Sequence, residues 1–169
     1  MTREMQQRPR FRRIAAGLEC RRAIGSTIEA FMKVPFSGGC ACGNVRYECS
    51  SEPLAMLNCH CLDCQQSSGA PFASGVIVAR NSVEIFGSPR EYSVRASSGA
   101  RATRSFCANC GSPLFTTGEA APDFMSIRFT SFDDSSEFHP ALDIWTSSAT
   151  SWVCLNEELP HFAQTLSRP

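Results

Sequence analysis

The chain has 169 residues, a length that suits one domain with or without a tail. At 43% hydrophobic and 19% charged it can bury a core, which excludes general disorder. Formal net charge is zero, which argues against a globally basic nucleic-acid binder, and no run approaches the roughly 20 apolar residues of a membrane span.

Charge is unevenly placed. Residues 1–35 hold eight basic and three acidic side chains, +5, and the remainder carries −5. Arg12 and Arg13 precede only five apolar residues, Ile14 to Leu18. A secretory signal needs roughly 7–15. Glu4, Glu19 and Glu29 argue against an Arg-rich transit peptide. The segment is expected to be a basic, flexible or loosely helical extension, and Met32 offers an alternative translation start. With no convincing export signal, the expected setting is the cytoplasm. Grouped cysteines in a reducing compartment serve as metal ligands more often than as disulfides.

From Phe36 onward, short apolar runs alternate with turn residues. Val45–Cys49 alternates as a half-buried strand does, and Leu54–Leu57 leads into the central cysteines. Phe72–Val78 is apolar and partly β-branched, as in a buried strand. Further strands are predicted at Ser82–Phe86, Tyr92–Arg95, Arg101–Phe106, Leu114–Phe115, Phe124–Phe132 and Leu142–Trp145. The pattern predicts a mostly antiparallel β domain over 36–162. Residues 163–169 form a tail, and nothing from Glu157 onward has a strong pattern.

Ten cysteines are too many to be incidental. Seven fall into three groups: Cys40 and Cys42; Cys59, Cys61 and Cys64; Cys107 and Cys110. The Cys107-Ala108-Asn109-Cys110-Gly111 run is a tight turn with both sulfurs on one side, and it supplies half of a tetrahedral zinc site. Cys40 and Cys42, two apart in extended chain, point the same way and can supply the other half. Four thiolates close a metal and make it structural. The central group has no fourth partner nearby in sequence. Cys61 and Cys64 suit one helical turn, which Ser67, Ser68 and Gly69 then end. Three protein ligands and one open position is the arrangement of catalytic zinc. A redox Cys-x-x-Cys, an iron–sulfur site, disulfides, or a second closed zinc using His60, Cys49 or Cys154 are the competing readings. His60 lies between two ligands and should point away from them, toward a supporting position or the surface. Cys20, Cys49 and Cys154 are expected to be core or incidental, and His139 and His161 receive no role.

These residues resemble the glutathione-dependent formaldehyde-activating enzyme family, also called the centromere-protein-V-like family. The likeness rests on Gly38-Gly39-Cys40-Ala41-Cys42-Gly43-Asn44-Val45-Arg46-Tyr47, on Cys59-His60-Cys61-Leu62-Asp63-Cys64 with Ser68-Gly69-Ala70, and on Phe106-Cys107-Ala108-Asn109-Cys110-Gly111-Ser112. It implies an Mss4-like β fold and two zincs per chain. One would be structural on Cys40, Cys42, Cys107 and Cys110; the other would be open and catalytic on Cys59, Cys61 and Cys64. The implied activity joins glutathione and formaldehyde into S-hydroxymethylglutathione.

The expected function is a zinc-dependent carbon–sulfur lyase acting on thiol/aldehyde adducts, with a small thiol such as glutathione and a small aldehyde as partners. Nucleic acid and membrane are not expected partners, and the oligomeric state is not legible. Ser67, Ser68 and Gly69 are candidates for contacts to substrate or to the cysteine sulfurs. Arg104 and Arg128 are candidate anchors for a substrate carboxylate. The alternative is a non-enzymatic, zinc-stabilised binding module, which the +5 extension favours.

Overall fold

A computed structural model describes residues 32–96 and 98–165. The extension as far as residue 31, Cys20 with it, and the tail from 166 lie outside the described residues.

The protein is mostly β, with two sheets among the described residues. The strands are β1 (Phe36–Gly39), β2 (Arg46–Cys49), β3 (Ala55–Cys59), β4 (Ala73–Ala79), β5 (Val83–Phe86), β6 (Arg90–Arg95), β7 (Arg101–Phe106), β8 (Pro113–Gly118), β9 (Ala121–Arg128), β10 (Leu142–Ile144) and β11 (His161–Phe162). The small sheet has the order β1-β2-β5 and the large one β11-β10-β3-β4-β9-β8-β7-β6. Every pairing is antiparallel except β3–β10 and β10–β11. Among the described residues the one α-helix is α1, Leu62–Ser68.

Alternation explains which faces are covered. In β2, Tyr47 and Cys49 turn inward while Glu48 faces water. In β4, Val76 and Val78 are fully buried because β3 and β9 flank the strand. The core gathers Val45, Tyr47, Met56, Val76, Val78, Leu114, Phe115, Met125 and Ile127. Tyr47 joins the two sheets: its ring meets Phe115 edge-on at 5.3 Å, and its buried hydroxyl lies 3.0 Å from Ser131 Oγ. Met32 is also buried in this core.

Two expectations about strands change. The run predicted from Phe124 to Phe132 stops at Arg128, and Phe129–Ser131 turns as a 3-10 helix. Ser131 Oγ donates back to the Arg128 carbonyl at 2.7 Å, and Phe129 and Phe132 both pack on Phe138. The patternless C-terminal stretch contains β11, which adds to β10 in parallel.

Candidate functional site

Two reversals of the chain build the first cysteine set. In one, between β1 and β2, Gly43 N–H donates to the Cys40 carbonyl at 3.0 Å with Gly43 at φ 79°. In the other, between β7 and β8, Gly111 N–H donates to the Cys107 carbonyl at 2.9 Å with Gly111 at φ 73°. Both turns need the left-handed conformation that glycine adopts without strain. They bring the sulfurs of Cys40, Cys42, Cys107 and Cys110 within 4.8 Å of one another. The Cys40–Cys42 and Cys42–Cys107 separations are 3.5 and 3.6 Å. A tetrahedral zinc with bonds of about 2.3 Å requires sulfurs about 3.8 Å apart, so the donor set fits. The surroundings of Cys40 and Cys110 favour thiolate: Val45 N–H donates to Cys40 Sγ at 3.2 Å. The Ser112 hydroxyl and then its N–H bring the Cys110 thiol down to about 5.

The second set is local. Cys59 ends β3, Cys61 caps the N-terminus of α1, and Cys64 lies one turn inside it. Their sulfurs also lie within 4.8 Å of one another, and among the described residues no fourth Cys, His, Asp or Glu joins them. Cys59 is buried, whereas Cys61 and Cys64 are half-exposed. Hydrogen bonds from Cys59 and then Cys64 hold the Cys61 thiol well below its ordinary range, and Cys64 N–H donates to its sulfur at 3.4 Å. The Cys59 thiol is pushed up, chiefly by donating to Cys61. Three converging sulfurs, one already favouring the thiolate, fit a borderline-soft divalent ion with one position open.

A cavity of about 140 Å³ opens beside Cys61 and Cys64, with Arg104, Thr116, Arg128 and Trp145 in its wall. Trp145 follows β10 and stands at φ 59°, ψ 36°. A bulky residue in the left-handed region is strained, and such strain clusters at functional sites.

Comparison with known proteins narrows what this centre belongs to. The model of the glutathione-dependent formaldehyde-activating enzyme family matches residues 35–148. The chain belongs to that family. The matched span contains all seven clustered cysteines and Trp145. No curated protein matches the chain. Among solved structures, a protein from Rhodobacter sphaeroides is similar at 19% identity with a TM-score of 0.47, over 57% of this chain and 87% of that one.

In this family member the other candidate residues fall into distinct places. Ser67 Oγ donates to the Cys64 carbonyl at 3.2 Å and accepts from Arg128 Nη2 at 3.0 Å. Ser68 Oγ is engaged with the Phe72 carbonyl at 3.2 Å and accepts from Ala70 N–H at 3.2 Å. Gly69 ends the helix at φ 65°, its N–H donating to the Gln65 carbonyl. The three do not line the cavity. Arg104 and Arg128 do, and neither is the solvated strand residue that such a position usually holds. Arg104 Nη2 donates to the Asp63 carbonyl at 3.1 Å and lies 3.4 Å from its carboxylate. Arg128 is only 8% exposed.

His60 does point away from the sulfurs, but into the protein: it is 1% exposed, with Nε2 2.9 Å from Asp143 Oδ1. His161 Nε2 approaches the other oxygen of Asp143 at 3.6 Å. Sequence reasoning missed Gln65, whose Nε2 donates to the carbonyls of His60 at 2.7 Å and Ser148 at 2.9 Å. It fastens α1 to the ligand loop and to the turn after Trp145. Cys49 is buried, 3.5 Å from Ser82 Oγ, and Cys154 is exposed on a separate cavity behind the loop.

Proposed function

We propose that the protein is a zinc-dependent carbon–sulfur lyase-type enzyme that makes and breaks thiol/aldehyde adducts, with glutathione and formaldehyde as the reactants its family name points to. The observation that carries this reading is the three-sulfur centre with no fourth protein ligand among the described residues, opening on a small cavity. Zinc bound there would supply a Lewis acid that favours the thiolate form of a substrate thiol. Zinc on Cys40, Cys42, Cys107 and Cys110 would be structural.

The chain itself contributes position and exclusion. Cys59 is anchored by β3, and Gln65 fixes the loop, so the three sulfurs keep their spacing when substrate enters. The cavity confines the reacting atoms, and holding a thiolate against a carbonyl carbon removes much of the entropic barrier. Its size admits the sulfur end of a thiol and an aldehyde of a few atoms, while the rest of a tripeptide must lie outside. Among the described residues no helix is long and apolar enough to cross a membrane. We place the enzyme in the cytoplasm, where free thiols are abundant.

Native mass spectrometry of the full-length chain, with and without glutathione, tests this. The expected result is two zincs and a glutathione complex that Cys61→Ser abolishes along with one metal. Two zincs with no glutathione complex would favour the zinc-stabilised binding module instead.

A further inference from the structure

Arg128 is buried, and among the described residues no carboxylate matches its charge. Arginines are rarely buried unless paired. Among the described residues no Asp or Glu forms an ion pair with it; the other cavity arginine, Arg104, is the one paired with Asp63. A guanidinium has five N–H donors. Among the described residues one is used, from Nη2 to Ser67 Oγ at 3.0 Å. Ser67 is itself fixed, donating to the carbonyl of Cys64. Thus a cysteine of the open centre, a serine one turn on and a buried cation form one connected unit. The side chain lines the cavity that Cys61 and Cys64 line. At the last residue of β9, opposite Gly75 of β4, its backbone is held by the middle of the large sheet.

Resting on the thiol–aldehyde reading above, we propose that Arg128 is a catalytic residue that donates hydrogen bonds to the carbonyl oxygen of the aldehyde, with Ser67 as its positioning residue. When thiolate adds to an aldehyde, the sulfur electron pair forms the C–S bond and the carbonyl π pair moves to oxygen. The alkoxide then takes a proton from water, and nothing is oxidised or reduced. Negative charge therefore grows on an oxygen about one bond from the attacked carbon. A fixed, buried guanidinium stabilises that charge without reorganising. Arg104, already engaged by Asp63, is less available for this task. The same cation selects small carbonyl compounds with a compact oxygen end, and it also binds a planar oxyanion of the same size.

The test uses the full chain with zinc supplied. Exchange NMR gives the rate of glutathione–formaldehyde adduct formation above the spontaneous background, and calorimetry gives the affinities for glutathione and for formate, a planar oxyanion of aldehyde size. Arg128→Met should lower the exchange rate roughly 10²–10³-fold. It should abolish formate binding while metal content and glutathione affinity stay unchanged. Arg128→Lys should keep the charge but lose the fork and retain an intermediate rate. Ser67→Ala should fold normally and slow exchange by about tenfold or less. If Arg128→Met stays within about threefold of wild type and still binds formate, the proposal is overturned. Should that variant fail to fold, unchanged rates in both Arg128→Lys and Ser67→Ala would overturn it equally. Wild-type protein that binds formate through Arg128 yet shows no exchange above background would retain the anion site and remove the thiol–aldehyde reading. Wild-type protein that does neither would remove both.

Discussion

Behind the open cysteine centre, His60 and Asp143 form a pair almost fully removed from water, with side chains 1% and 3% exposed. His60 Nδ1 has no hydrogen-bond partner, so the contact with Asp143 is the imidazole's sole polar anchor among the described residues. Removing the carboxylate would leave a buried ring with both nitrogens unsatisfied. Asp143→Ala should therefore cost about 3 kcal/mol. It should also weaken zinc retention at Cys59, Cys61 and Cys64, because His60 stands between two of them. Urea unfolding with zinc supplied, together with metal counting, checks both; a cost below about 1 kcal/mol would argue against the brace. At this scale the sequence was informative where a rule is local. Two-residue spacing turned Cys59 and Cys61 one way and His60 the other. What His60 meets there was illegible, since Asp143 lies 83 residues further on. Arg104 and Arg128 were visible as candidates but not as different from each other, because their separation rests on burial and on Asp63.

Strand positions were legible wherever alternation or a branched run marked them, as in β2, β4 and β7. β1, with the sequence Phe-Ser-Gly-Gly, has neither mark, and β11 is two residues long. The end of β9 was hidden because Phe129 and Ser131 continue the strand's alternation; the stacking of Phe129 on Phe138 at 5.1 Å is a tertiary effect. Glycine in mid-strand has its own meaning. A Cβ on Gly75 would come 2.3 Å from the carbonyl oxygen of Ile127, a backbone atom of the paired strand that cannot swing aside. Gly75→Ala should thus destabilise by more than about 2 kcal/mol and push β9, with Arg128, away from the cavity. A thermal scan reads the first effect, and an unchanged melting temperature would contradict it. The small sheet is tied to the turn after β9 by Arg46 and Ser37, which both bind Asp133. Arg46, then Ser37, hold the Asp133 carboxyl below its ordinary value. Because the folded value is the lower one, this contribution is present above about pH 4 and is lost as pH falls through the folded value. Both partners are half-exposed, so the effect should stay under about 1 kcal/mol. Asp133→Asn should accordingly lower the urea midpoint at pH 7 and leave it closer to wild type at pH 3, the reverse order being incompatible with the pair.

For the molecule as a whole, the two cysteine sets differ in what they join. Cys42 and Cys107 are 65 residues apart yet their sulfurs are 3.6 Å from each other. One belongs to the turn between two strands of the small sheet, the other to a turn between two strands of the large sheet. A metal there would hold the two sheets together. Cys59, Cys61 and Cys64 span six residues of one β3–α1 connection, which Gln65, His60 and the β10 pairing already secure without metal. Metal bound at the first set would therefore contribute folding energy, and at the second would mostly order a loop. Cys110→Ser should lose cooperative unfolding and aggregate, whereas Cys61→Ser should keep the fold, lose one zinc and lose glutathione binding. Circular dichroism melts and native mass spectrometry of the two variants side by side decide the matter. A Cys110→Ser protein that stays folded with both metals would remove the structural role from the first set, and a Cys61→Ser protein that collapses equally would make the second set structural too.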